Sequence, residues 1–321
     1  MEEWPKYLRS CSASPRFTER EAIRQIRTKK ELILDILMGV VAALCWGATD
    51  FLVGLNARLF GVQRSVFLGQ LLGLILLSVV LLVLGRQIDL LYEVKWQLLL
   101  TCIAAALLSV MGAVALSRAF AQGKTAVVAP LVTSYGMFTT LLAWMGGEHI
   151  TAIQWVGLLI CASGVAVVGR GSGNNDPRQY RSAGTANVFA LVAAALYGTS
   201  FWVQGKYTLP AIGPVNMLWI SYLVGVMFLS PIMFKLKPAD SPGLKGYCAL
   251  CCASLFNLAG FTAFSYGALT GAVAIVTVIS TMSGGIAAIL GYLFYKDRLT
   301  LMQIAGVCLV LLGAVVLHFV A

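Results

Sequence analysis

The sequence predicts an all-α integral membrane protein, with ten transmembrane helices in two five-helix repeats of inverted topology. Composition, recurring apolar stretches and an internal repeat support this fold class. Of the 321 residues, 59% are hydrophobic and 11% are charged, whereas a typical soluble domain has roughly 25% charged residues. Such a chain has too few polar side chains to cover a surface that faces water.

Apolar stretches recur along the chain at the length of a membrane crossing. A hydrocarbon core about 30 Å thick needs about 20 mostly apolar residues per helix. The predicted spans are 33–56, 63–84, 96–118, 125–145, 151–169, 184–205, 213–234, 246–267, 271–294 and 299–320. The connections are short except for residues 169–184, which are rich in Gly, Asn and Arg and predict an exposed loop.

The two halves of the chain repeat each other. The stretch "EHITAIQWVGLLICASGVAVV" from Glu148 aligns without gaps on "DRLTLMQIAGVCLVLLGAVVL" from Asp297, and "CWGATDFLV" aligns on "LYGTSFWVQ". Because five spans is an odd number, the second copy enters the membrane from the opposite side, and transporters with such repeats bind substrate between them. The predicted parts are a basic tail (1–32), a first repeat (33–169), a linker loop (170–183) and a second repeat (184–321).

Basic residues cluster before the first span, where they bear on orientation. Eight of the 23 Lys and Arg residues lie there: Lys6, Arg9, Arg16, Arg20, Arg24, Arg27, Lys29 and Lys30. Charges ahead of the first helix usually set topology, so we expect both termini in the cytoplasm. For the tail itself, an amphipathic helix on the anionic leaflet and an extension without function both stay open. The other basic residues are scattered, which disfavours a nucleic-acid partner.

Several motifs resemble those of one transporter family. The chain has "WGATDF" in its first span and short turns before its fifth and tenth spans, "GGEHIT" with Gln154 and "KDRLT" with Gln303. Over residues 36–320 this pattern resembles EamA-type members of the drug/metabolite transporter superfamily. The resemblance implies export or exchange of a small polar metabolite. That family often has Pro near the positions of Tyr135 and Gly284; here the nearby proline is Pro130, so we expect backbone breaks at other positions.

Asp50 is a carboxylate deep inside the first span. An acid at the centre of a transmembrane helix costs about 2.5–3.5 kcal/mol on insertion scales, so it must face water or other helices. One hypothesis is that Asp50 lines a central cavity, where it binds a substrate amine or exchanges a proton. The other is a structural carboxylate, held by hydroxyl groups or paired with Arg58 or Arg64. Trp46, one helical turn away, shares its face.

In the second repeat Phe201 takes the position of Asp50, within an unusually polar and aromatic stretch. The candidate cavity residues there are Tyr197, Thr199, Phe201 and Trp202, because an aromatic wall beside an acid suits a cationic or zwitterionic metabolite. Hydroxyl and amide groups in other spans either bridge helices or face the cavity. The candidates of this kind are Ser134, Tyr135, Asn257, Ser280 and Ser283.

These observations predict a secondary transporter that moves a small metabolite, an amino acid, an amine or a related compound, by alternating access. The expected partners are the small-molecule substrate and the lipid bilayer of a bacterial inner membrane, with protons as one candidate coupling ion. Substrate identity, direction, and monomer or homodimer stay open. The cysteines complete no zinc motif, and no cofactor is expected. The alternatives are an integral-membrane enzyme acting on lipids and a non-transporting membrane subunit.

Overall fold

The computed structural model describes residues 15–83, 95–170, 177–236, 243–269, 276 and 279–318, and this part of the chain is helical. Its α-helices are α1 (Pro15–Phe60), α2 (Val62–Val83), α3 (Trp96–Gln122), α4 (Thr125–Val132), α5 (Tyr135–Met145), α6 (Ala152–Arg170), α7 (Pro177–Val203), α8 (Leu209–Lys235), α9 (Gly243–Leu269), α10 (Ser283–Tyr295) and α11 (Leu301–His318). A π-helical turn, Gln204–Thr208, joins α7 to α8.

Within the described residues, seven helical segments are long and apolar enough to cross a membrane. One of them, Ala183–Lys235, has 53 residues and would measure about 80 Å if it were straight. It is instead interrupted at Gly213, whose φ of 75° is not helical. Two shorter apolar helices, Ser283–Tyr295 and Leu301–Leu317, follow near the C-terminus. The integral membrane class is therefore confirmed, while the count of ten crossings stays a prediction.

Helix also extends beyond the predicted spans. Residues 177–184, predicted as part of a loop, form the first turns of α7, which begins at Pro177. The fixed φ of proline suits the first position of a helix. The N-terminal tail is helical from Pro15 and continues without a break into the first span. Residues 1–14 and 171–176 lie outside the described part of the chain.

The fourth span is broken between α4 and α5, three residues after Pro130. Proline has no N–H and cannot continue the hydrogen-bond ladder of a helix. The turn is closed by short-range bonds instead: the Thr133 hydroxyl donates to the Pro130 carbonyl at 2.6 Å, and the Ser134 hydroxyl to the Leu131 carbonyl at 2.7 Å. The same two carbonyls also accept the amide groups of Thr133 and Ser134, at 3.1 Å and 3.2 Å, so the hydroxyl bonds reinforce this tight turn.

The motifs that begin α6 and α11 cap those helices in the same way. The Thr151 amide donates to Gln154 Oε1 at 2.9 Å, and the Gln154 amide to Thr151 Oγ1 at 3.3 Å. The corresponding distances for Thr300 and Gln303 are 3.1 Å and 3.2 Å. Each pair is a reciprocal capping box. The repeated Thr-x-x-Gln therefore has a structural role in both halves.

Helices α6 and α11 run antiparallel in close contact along glycine residues. A Cβ atom on Gly164 would lie 2.6 Å from the amide nitrogen of Val310, and one on Gly313 would lie 2.5 Å from that of Cys161. In the sequence repeat Gly164 aligns with Gly313, and Cys161 aligns with Val310. The two contacts therefore involve equivalent residues with the helices exchanged. Each helix therefore makes the same contact with the other, as two objects related by a two-fold axis would.

The opening helix of each half makes a similar reciprocal contact. A Cβ atom on Gly260 of α9 would lie 2.7 Å from the Trp46 ring in α1, and one on Gly112 of α3 would lie 3.2 Å from the Tyr197 ring in α7. Trp46 and Tyr197 are aligned in the repeat. In a bilayer, helix association depends on close packing at small residues, and these contacts hold α1 against α9 and α7 against α3.

Replacing Gly164 by Ala is expected to destabilise the protein by about 1–3 kcal/mol, the usual cost of overpacking, because the new methyl group would meet the backbone of α11. Gly169, also in α6, has no atom within 4 Å of its Cβ position. There the same substitution should be neutral or stabilising, since Ala favours helix by up to about 1 kcal/mol. Thermal unfolding of both variants in detergent measures this; equal behaviour would contradict the close packing.

Candidate functional site

A cavity of about 200 Å³ lies between six helices and contains Asp50. Helices α1, α2, α3, α7, α8 and α9 contribute the lining, so both halves of the chain take part. Its residues are Thr49, Asp50, Val53, Asn56, Ser65, Val66, Gly69, Gln70, Ala113, Leu116, Ser117, Tyr197, Tyr222, Leu250, Ala253, Ser254 and Asn257. Drug-sized sites measure roughly 300–1,000 Å³, so this volume suits a smaller solute.

The sequence of α1 places four residues on the wall of the cavity. Thr49, Asp50, Val53 and Asn56 follow the spacing of one helix face. Asp50 lies ten residues before Phe60, the last residue of α1, which is about 15 Å at the rise of an α-helix. That distance is half the thickness of a hydrocarbon core of about 30 Å. The carboxylate therefore lies near mid-depth.

No Lys, Arg or His is among the described residues that line this cavity. Arg58, one of the two predicted pairing partners of Asp50, donates instead to the carbonyls of Phe120 at 3.0 Å and Gly123 at 3.2 Å. Its guanidinium also lies 4.4 Å from the centre of the Tyr295 ring. Arg58 is thus engaged at the end of the bundle, and the described wall of the cavity holds an acidic group without a basic one beside it.

Two amide oxygens on the cavity wall have no hydrogen-bond partner in the described part of the chain. They are Asn56 Oδ1 and Gln70 Oε1, and both atoms are buried. Leaving a buried polar group unpaired costs about 1–3 kcal/mol. Asn56 and Gln70 line the cavity beside Asp50, from α1 and α2, but the two oxygens themselves are enclosed by protein atoms. A ligand that donates several hydrogen bonds would pair with them once their side chains turn toward the cavity.

Asn257 and Tyr222 form a hydrogen-bonded pair on the opposite wall. The Asn257 amide, in α9, donates to the Tyr222 hydroxyl of α8 at 2.8 Å. The sequence analysis had singled out this amide, and it has a partner on a neighbouring helix. A Cβ atom on Gly73 would lie 2.6 Å from the Tyr222 ring, and one on Gly225 would lie 2.9 Å from Gln70. The glycines thus allow α2 and α8 to approach closely beside the cavity.

The predicted aromatic wall is present in part. Tyr197 lines the cavity, and its ring stacks on Phe201 with centroids 6.0 Å apart. Phe201 in turn meets Tyr135 edge-on at 5.1 Å. These three rings therefore extend from the cavity wall toward α5.

Other candidate residues lie outside the cavity lining. The Trp46 ring packs on Phe264 at 5.5 Å. Trp202 is at the far end of α7, where the Lys206 ammonium lies 5.4 Å from its ring centre. The Thr199 hydroxyl donates to a carbonyl of its own helix at 2.8 Å. Trp46 and Trp202 thus pack against neighbouring side chains, and Thr199 bonds within its own helix.

The candidate serines of the fourth and ninth spans are also away from the cavity lining. Ser134, fully buried, bonds the Leu131 carbonyl in the break between α4 and α5. Ser280 and Ser283 are 3% and 9% exposed. A Cβ atom on Gly47 would lie 3.0 Å from the Ser283 carbonyl. In the described geometry these residues lie at helix contacts and breaks.

Sequence analysis missed several cavity residues, chiefly Asn56, Gln70 and Tyr222. Asn56 had a signal, because it lies on the helix face of Thr49 and Asp50, two turns further along α1. Gln70 and Tyr222 had none within their own spans, since their common location depends on how α2 packs against α8.

The region around Ser200, which corresponds in the second repeat to the cavity region around Thr49, is tightly packed. Ser200, aligned with Thr49, donates to the Ala105 carbonyl at 2.7 Å and lies 2.7 Å from the Ser109 hydroxyl. Gln204 Nε2 donates to Ser200 at 2.8 Å. A buried cluster of Cys102, Ala105, Ala106, Ile212, Met217 and Ile220 fills the space beyond.

The matching bond beside the cavity is long. The Thr49 hydroxyl donates to the Cys45 carbonyl of its own helix at 2.9 Å and lies 3.5 Å from the Ala253 carbonyl of α9. Ala253 corresponds to Ala105, because Ala253 lies seven residues before Gly260 and Ala105 lies seven residues before Gly112. Asn56, Ser65 and Ser117 show that the cavity extends toward the end of the bundle where α1 and α3 finish and α2 begins. The packed cluster occupies the opposite end.

Comparison with known proteins agrees with this architecture. The model of the EamA-like transporter family matches residues 33–170 and again residues 184–319. A relative from Synechocystis sp., named uncharacterized transporter sll1319, is 22% identical over 200 residues, which are 61% of this chain and 59% of the relative. One solved crystal structure of a protein superposes with a TM-score of 0.57 at 15% identity, covering 89% of this chain and 98% of that one.

That structural likeness shows the fold alone. The family model, by contrast, covers most of the sequence in two copies, and its two matched segments correspond to the two halves of the internal repeat. Both matched segments are thus described by the model of one transporter family. It belongs to the EamA-like transporter family.

Proposed function

We propose that this protein is a secondary transporter that carries a small metabolite with an ammonium group past Asp50 by alternating access. The observation that carries the proposal is the mid-depth cavity between the two halves, lined by an acid and by two amide residues whose buried oxygens have no partner in the described chain. A primary ammonium group has three N–H donors and a positive charge. Amino acids and amines therefore supply the hydrogen-bond donors and the positive charge that complement this wall.

The aromatic rings beside the acid support the same substrate class. A cation is attracted to the face of an aromatic ring, by about 0.5–2 kcal/mol depending on its desolvation. Tyr197 lines the cavity and stacks on Phe201. An ammonium group near Asp50 would contact this ring, and the apolar part of the metabolite would find Val53 and Leu116 on the wall.

Inverted repeats are supported by the reciprocal contacts between the halves. Helices α6 and α11 are aligned in the sequence repeat and run antiparallel, which is the relation expected of an inverted pair. The proposed architecture has ten crossings, the fourth formed by α4 with α5. One chain supplies both halves, so a monomer is sufficient for transport.

Alternating access is supported by the asymmetry of the two matching positions. Ser200 donates across to the Ala105 carbonyl at 2.7 Å, whereas Thr49 donates within its own helix at 2.9 Å and only approaches the Ala253 carbonyl, at 3.5 Å. In the opposite state of the cycle, Thr49 would donate to Ala253 and the bond from Ser200 to Ala105 would open. Proton exchange at Asp50 is a candidate for coupling, because a carboxylate on an accessible wall can bind either a proton or a substrate cation.

The proposed location is a bacterial inner membrane with both termini in the cytoplasm, from the basic residues before the first span. The enzyme alternative is less favoured by the site. Acid–base or nucleophilic catalysis needs several functional groups held within hydrogen-bonding reach. The described cavity wall has one carboxylate, with phenol, amide and hydroxyl groups around it.

Replacing Asp50 by Asn is expected to weaken binding of amino acids or amines by about 10- to 100-fold, since a hydrogen bond to a charged group contributes about 1.5–3 kcal/mol. Binding is measured by thermal shift of purified protein, and transport by uptake of labelled amino acids and primary amines into proteoliposomes. Glu148→Gln is the control, because Glu148 is exposed in a turn outside the cavity. Unchanged binding and transport in Asp50→Asn would refute the role of this acid.

Cysteine labelling tests which of the two matching positions faces water. A thiol reacts as its thiolate, which forms in water and not in apolar packing. Thr49→Cys should therefore gain a hydrophilic maleimide adduct rapidly, whereas Ser200→Cys, at a residue with 0% exposure, should stay unmodified. Intact-protein mass spectrometry relative to the parent protein counts the added label. Equal labelling at both positions would contradict the proposed one-sided access, and saturating amines should slow labelling of Thr49→Cys.

A further inference from the structure

A second pocket, separate from the Asp50 cavity, lies at the end of the bundle where α1, α3 and α8 finish. It is open, measures about 530 Å³ and has three cationic side chains on its wall, those of Arg64, Arg118 and Lys235. The remaining lining residues are Phe60, Gly61, Val62, Gln63 and Leu236. None of these lining residues is acidic. The pocket therefore attracts anions, unlike the Asp50 cavity.

The backbone adds to this positive potential. Gly61, Val62 and Gln63 lie at the start of α2, a helix of 22 residues. The first amide groups of a helix have no carbonyl partner within it, and the helix dipole places about half a positive charge at that end. This end of α2 thus lies in the same pocket as the three cationic side chains.

The depth of the pocket matches that of lipid headgroups. Lys235 is the last residue of α8, and the residue before it, Phe234, is 91% exposed. In a membrane, an apolar side chain this exposed at the end of a spanning helix faces lipid. Arg118 in turn lies 5.8 Å from the Phe189 ring centre, which places its guanidinium beside an apolar group. The cations therefore line a groove at the boundary between hydrocarbon and water.

We propose that this pocket binds the phosphate group of an acidic phospholipid headgroup. Guanidinium groups form paired hydrogen bonds with phosphate oxygens, and a pocket of three cations attracts an anionic headgroup by charge. The lipid phosphate would be held between Arg64 of α2, Arg118 of α3 and Lys235 of α8. Since α2 and α3 belong to the first repeat and α8 to the second, the bound lipid joins the two halves at this end.

Lipid retention measured by native mass spectrometry tests the proposal. The full-length protein is reconstituted in vesicles of phosphatidylcholine with phosphatidylglycerol, extracted in mild detergent and compared with the double variant Arg64→Gln, Arg118→Gln. We expect the parent to retain phosphatidylglycerol over phosphatidylcholine, and the double variant to lose this preference by about tenfold or more, the effect of one charged hydrogen bond. Arg170→Gln is the matched control, because Arg170 is exposed at the end of α6 and outside the pocket.

Further measurements distinguish a lipid site from surface attraction and from a site for a free anion. In phosphatidylcholine alone, the parent protein and the double variant should have the same melting temperature. If the double variant fails to fold, the single variant Lys235→Gln replaces it, because Lys235 is exposed. This variant should also retain less phosphatidylglycerol. Equal loss in Arg170→Gln would show general surface attraction and overturn the proposal. Stabilisation by inorganic phosphate without retention of phosphatidylglycerol would show a site for the free anion and overturn the lipid assignment. Neither readout depends on transport.

Discussion

The carboxylate of Asp50 at mid-depth in a bilayer is the constraint on which the rest of the site depends. A charged side chain there costs about 2.5–3.5 kcal/mol, so the surrounding helices must leave it either a partner or water. Among the described residues no basic side chain lines its cavity, and Arg58 is engaged at the end of the bundle. The wall instead adds the unpaired oxygens of Asn56 and Gln70. These acceptors need donors, which water or a donor-rich solute in the cavity would supply.

A cavity removes packing from the middle of a helical bundle, and close helix contacts elsewhere offset the loss. Water-driven hydrophobic association does not act between helices in lipid, so stability depends on tight contact at small residues. Gly164 and Gly313 hold α6 against α11 at backbone distance. Gly112 and Gly260 do the same for the helices beside the cavity. These glycines therefore form the closely packed part of the fold, around a less densely packed centre.

Sequence alone predicted the membrane class, the repeat and part of the site. Asp50, Tyr197 and Asn257 were recognised because each is unusual within its own span, and all three line the cavity. Ser134 was equally unusual, yet its hydroxyl bonds a carbonyl in a helix break, a local use that hydropathy does not distinguish from a ligand contact. Gln70 was missed because its role depends on contact between α2 and α8. Patterns within one helix predict burial, whereas convergence of side chains from several helices is a property of tertiary packing.

The two ends of the proposed pathway differ in sequence, and that difference bears on how substrate would drive the cycle. At the packed end Gln204 donates to Ser200, but the residue aligned with Gln204 in the first repeat is Val53. Closing over Asp50 would therefore form at least one hydrogen bond fewer, each contributing about 0.5–1.5 kcal/mol. In the proposed cycle this difference would favour the present state of the empty protein. A ligand shifts such an equilibrium only by its differential affinity, so the substrate must itself supply contacts, through its ammonium group, that the closed state strengthens.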